Sequence, residues 1–105
     1  MATAYIREYA DIAHTFSKTI QAGAEPAVAD QTVSTSGTTA ASAAFNTNTR
    51  LIAISTPAAQ AVACAFSATP GATTTATVTN LRLPANSIIF FGVRPGDKVS
   101  LIDVT

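Results

Sequence analysis

His14 is the only histidine of the chain, and Glu8 and Asp11 stand just before it. On one helix face these groups could pass a proton between an acid and a base. No nucleophile and no oxyanion-stabilising loop accompanies them, and catalysis needs several groups held rigidly. The chain therefore reads as non-enzymatic, with His14 facing solvent or a neighbouring subunit. Cys64 sits mid-strand between Ala63 and Ala65 and reads as a small core hydrophobe. A single cysteine forms no internal disulfide. One His with one Cys cannot complete a tetrahedral metal site, and the acids are too scattered for a calcium loop. Gly71 and Gly96 are isolated turn glycines rather than a phosphate cradle. No cofactor and no metal are expected.

Binding chemistry leaves more open. Thr73, Thr75, Thr77 and Thr79 alternate along one strand face. A flat Thr array could meet ice or a sugar surface. Thr is also simply a good strand former facing solvent, and no second row repeats this one. Carbohydrate sites favour exposed aromatics, and with no Trp in the chain only Tyr5 and Tyr9 are candidates. Arg94-Pro95-Gly96-Asp97-Lys98 is a polar turn, or a contact between subunits.

The chain has 105 residues, which suits one domain. Six basic residues balance six acidic ones. Arg7, Lys18, Arg50, Arg82, Arg94 and Lys98 are scattered, whereas nucleic-acid binding needs clustered cations. The charged fraction is 11%, against a usual value of about 25%. Ala, Thr and Ser take the place of the missing charges. A surface near zero net charge tends to associate, so part of it is expected to be covered in the working state. A Thr/Ser-coated sheet that stays soluble unaided is the plainer alternative. The opening residues lack the basic start and apolar run of a signal peptide, and no stretch approaches the ~18 apolar residues of a membrane span. Folding in a reducing cytoplasm is the expectation.

The elements that must position these residues read mostly as strands. Residues 3–16 are ambiguous. Tyr5, Tyr9 and Ile12 have helical spacing and Arg7 could pair with Asp11, yet Tyr5, Arg7 and Tyr9 also fit one strand face. Residues 17–30 read as irregular chain broken by Gly23 and Pro26. Strands are then expected over 31–35 and 40–45 around a turn at 36–39, and over 50–56, ended by Pro57. Residues 60–66 follow, with Val62, Cys64 and Phe66 on one face and alanines on the other, where another backbone could approach closely. Residues 73–83 are expected to be strand-like with a bulge or turn near Thr79-Asn80. Ile88-Ile89-Phe90-Phe91 reads as buried on both faces. Residues 94–97 spell a type II turn before a last strand over 98–104. The fold class is therefore all-β, a small antiparallel sandwich or barrel of jelly-roll type. Its expected core is Phe45, Ile52, Ile54, Val62, Cys64, Phe66, Leu81, Leu83, Ile89, Phe91, Val93, Val99 and Leu101.

The segments Met1-Ala2-Thr3-Ala4-Tyr5-Ile6-Arg7-Glu8-Tyr9, Gln21-Ala22-Gly23-Ala24-Glu25-Pro26 and Ser42 to Arg50 resemble small virion proteins of tailed bacteriophages. So do Leu83-Pro84-Ala85 and Phe90 to Val99. The likeness covers most of the chain and rests on turn and core residues. It implies a head-decoration (cement) protein on the capsid surface, made in the host cytoplasm. The implied partner is the major capsid protein, and the implied assembly is a homotrimer where capsid subunits meet. Neither nucleic acid nor a membrane is an expected partner. Residues 1–30 are expected to form an N-terminal arm, extended or partly helical, and residues 31–105 the β-domain. An arm that adds a strand or short helix to its partner would place the contacts on Tyr5, Ile6, Arg7, Tyr9 and Ile12, with Arg94 from the turn. A glycan-binding or host-attachment module, and a tail or connector component, are the alternatives.

Overall fold

The computed structural model describes residues 2–14, 19–23 and 27–104, with the backbone alone over 12–14 and 19–23. The described residues contain strands and no helix. β1 (Ala2–Tyr9) shows why period two prevails over helical spacing at the start of the chain. Ala4 and Ile6 are buried while Thr3, Tyr5 and Arg7 are exposed. β2 (Ile12–His14) and β3 (Thr19–Gly23) form a separate two-stranded ribbon. β4 (Ala29–Thr35), β5 (Ala40–Ala41), β6 (Leu51–Ser55), β7 (Val62–Phe66), β8 (Leu81–Leu83), β9 (Ile88–Gly92) and β10 (Val99–Asp103) follow.

Two four-stranded antiparallel sheets result. The first has the order β4-β1-β6-β9 and the second β5-β10-β7-β8. From β4 onward the chain changes sheet at every connection except the one between β7 and β8. The core between the sheets draws Ala4, Ile6, Val33, Ile52 and Ile54 from the first, and Val62, Cys64, Leu83, Val99 and Leu101 from the second. Phe45, from the connection between β5 and β6, fills the same core. Burying each large aliphatic side chain contributes about 1.5–3 kcal/mol. The fold is a small β-sandwich.

Residues 2–9 were expected in an arm and instead form an inner strand of the first sheet. β1 pairs with β4, with Ile6 opposite Gln31, and with β6, with Ile6 opposite Ile54. The expected boundary after residue 30 falls inside β4. Leu81, expected in the core, is 57% exposed at the start of edge strand β8. The Thr row over 73–79 is not a strand face, because residues 72–77 are irregular chain. The backbone of Ala76 donates to Thr39 Oγ1, which ties this long connection to the chain before β5. Ala63 and Ser100 lie on the face of the second sheet turned away from the core, and both are almost fully buried. Ala63 stands where the alanine spacing of β7 placed it, on the face opposite Val62 and Cys64.

Buried polar side chains hold the corners where the chain changes sheet. The Glu8 carboxylate accepts from Asn46 N at 2.7 Å, Thr49 Oγ1 at 2.8 Å and Gln31 Nε2 at 3.1 Å. Thr56 Oγ1 donates to Pro84 O and accepts from Ser87 N. Asn86 takes a positive φ of 55° in that turn, a conformation Asn tolerates better than most residues. Gly96 at φ 81° supplies the left-handed position of the expected type II turn.

Candidate interaction surface

β1, β4, β6 and β9 each carry alternating side chains, so the first sheet has a second face turned away from the core. Pairing puts Tyr5 beside Thr32 and Ser55, and Arg7 beside Asp30 and Ala53. Ala53 in turn lies beside Phe90, and Ser55 beside Ile88. These residues line a cleft of about 760 Å³ on the outer face. Its floor is apolar. Tyr9, Leu51 and Ala53 form a small buried cluster, with Phe90 and Ala27 packed on it. The Tyr9 and Phe90 rings lie 6.4 Å apart, within the range of favourable aromatic pairing. At the other end the cleft is open, with Tyr5 58% and Ile88 65% exposed.

The rim carries Arg7 Nε 3.6 Å from Asp30 Oδ1, with both side chains well exposed. The pairing anticipated between Arg7 and Asp11 assumed a helix; on a strand Arg7 meets Asp30 across the ladder instead. Opposite charges close together leave the rim without a large net field. An exposed pair of this kind contributes at most about 1 kcal/mol. The surface can therefore bury apolar and aromatic area, with a few polar groups to orient what it meets.

The residues expected to bind a partner separate into distinct places. Tyr5, Arg7 and Tyr9 lie together on this face. The Ile6 side chain points into the core, 1% exposed, and offers no contact surface. Ile12 begins β2, and its side chain lies outside the described residues. Arg94 lies away from this face: Nε donates to Asp97 Oδ2 at 2.6 Å within its turn, and Nη2 to Ser67 O at 3.0 Å just after β7. Sequence reasoning missed Ile88 and Phe90, because a run of four apolar residues reads as buried on both sides. The register shows one side in the core and the other on the cleft.

The three residues considered for proton chemistry do not form a described site. Glu8 faces the core and holds the connection between β5 and β6. The His14 side chain lies outside the described residues. Burial pushes the Cys64 thiol up to about 11, which keeps it protonated at neutral pH. Asp97 is held below the usual carboxylate range, first by the Gly71 N–H and then by Arg94. Among the described residues no His, Cys, Asp and Glu side chains gather into a metal-sized group. No family model matches the chain, and neither a curated protein nor a solved structure does.

Proposed function

We propose that this chain is a structural protein of a tailed-phage particle. It decorates the head by laying the outer face of its first sheet against the major capsid protein at subunit junctions. The observation that carries the assembly part is the open apolar cleft, where Tyr5 and Ile88 are exposed above Phe90 and Ala53. Burying each of those two side chains against a partner yields about 1–3 kcal/mol. Contacts of that size become strong when repeated around a shell. The low charged fraction of 11% supports the same reading, since few ions need be desolvated on docking. The phage and capsid part rests on the sequence resemblance alone. Tyr5→Asp places an unpaired carboxylate on the docking face and leaves the core untouched. It is expected to weaken sedimentation with assembled capsids about tenfold or more at unchanged thermal stability. Full binding by this variant contradicts the proposal.

A glycan-binding module is the second reading. The same cleft sets the exposed Tyr5 ring beside Arg7, Asp30, Thr32 and Ser55, an aromatic platform with hydrogen-bonding groups around it. A saccharide-selective signal on a glycan array, lost in Tyr5→Ala, would favour this reading over the capsid.

A further inference from the structure

We propose that β9 pairs edge to edge with β9 of a second copy of this chain, about a two-fold axis at Phe90. The β6–β9 ladder fixes which backbone groups are available. Val93 N donates to Arg50 O, and Thr56 N donates to Ser87 O. With Ile52 opposite Phe91 and Ile54 opposite Ile89, the odd-numbered residues of β9 turn their N–H and C=O toward β6. Ile88, Phe90 and Gly92 turn theirs away from the sheet. Among the described residues no hydrogen bond reaches those outward groups.

The other edges of the two four-stranded sheets are guarded. Outward on β4 lie Asp30, Thr32 and Ser34, and Asp30 is in an ion pair. β5 has two residues, and β8 has three with exposed Arg82 at its centre. β9 has no charge, no Pro and no register shift, and edges lacking these devices are the ones that pair.

The occupant follows from self-complementarity. Centring on Phe90 sets Phe90 opposite Phe90 of the second copy, and Ile88 opposite its Gly92. Every outward N–H then meets an outward C=O, giving six hydrogen bonds. Ile89 faces Phe91 of the second copy on the core side, and both are only half-buried in one chain. A Cβ at Gly92 would meet nothing within 4 Å, so room stands open for the incoming Ile88. A two-fold axis brings each residue near its own copy, and residues 83–93 carry no charge to repel itself. The outer faces of the two copies then join into one continuous surface. A two-fold interface is closed, and this dimer takes the place of the trimer that the resemblance implies.

The test uses the full chain without capsids, so its failure leaves the capsid reading standing. Sedimentation equilibrium is expected to show a monomer–dimer exchange. Hydrogen exchange at the Ile88, Phe90 and Gly92 amides is expected to slow as concentration rises. Exchange at Ile89 and Phe91, bonded to β6 within one chain, stays slow throughout. Gly92→Pro removes an outward donor without touching the β6 ladder and is expected to weaken the dimer about tenfold or more. Ile88→Lys gives an independent variant with the core intact. A monomer at all concentrations, a trimer or open-ended polymer, or a dimer in which those three amides stay fast overturns the proposal.

Discussion

Asp97 sits in the turn between β9 and β10, buried, with one carboxylate oxygen taking the Gly71 N–H at 2.8 Å and the other taking Arg94 Nε at 2.6 Å. Both partners favour the ionised form, so its folded pKa lies below the unfolded value of about 3.9. The stabilisation is fully present above the unfolded value and is lost as pH falls through the folded one. Asp97→Asn should therefore be less stable than the wild type at pH 7, and the gap should close below about pH 4. Urea midpoints of both proteins across that range read it directly; a gap independent of pH would remove the carboxylate from the account. Glu8 makes the related point that an acid close to a histidine in sequence need not act with it. Its carboxylate spends its hydrogen bonds on Asn46, Thr49 and Gln31.

At the scale of elements, the β-rich part of the chain was largely legible. Val62, Cys64, Val99 and Leu101 alternate as inward residues of two paired strands, as their spacing indicated. Pro95-Gly96 formed the expected turn. Legibility failed where a local signal had two solutions. Tyr5, Tyr9 and Ile12 fit a helix as well as a strand, and pairing on both sides by β4 and β6 decided for the strand. Thr73–Thr79 has strand propensity, yet it runs as irregular chain into a turn, tied down by Ala76 N donating to Thr39 Oγ1 and Lys98 Nζ donating to Thr73 Oγ1. The cleft was legible in Tyr5, Arg7 and Tyr9, which share one strand face. Ile88, Phe90 and Asp30 join them only through non-local register, which one sequence does not display. Removing residues 1–16 takes out an inner strand with Ala4 and Ile6 at its core. The truncated chain is therefore expected to lose cooperative unfolding, whereas an appended arm would leave it unchanged. Near-ultraviolet circular dichroism with a thermal melt distinguishes the two.

At the scale of the whole molecule, the two sheets differ in what they present outward. The second buries the small residues Ala63 and Ser100 on its outer side. The first keeps an apolar face partly open between Tyr5 and Ile88. An asymmetric surface of this kind suits a protein that works by being packed against. The proposed function makes the first sheet's outer face the docked face. Hydroxyl-radical labelling of the chain, free and bound to capsids, tests it with built-in controls. Tyr5 and Ile88 should lose their labelling on binding, while Val78 and Leu81, exposed to a similar degree at 56% and 57%, should keep theirs. Unchanged labelling of Tyr5 and Ile88 with protection of Val78 and Leu81 would contradict the account.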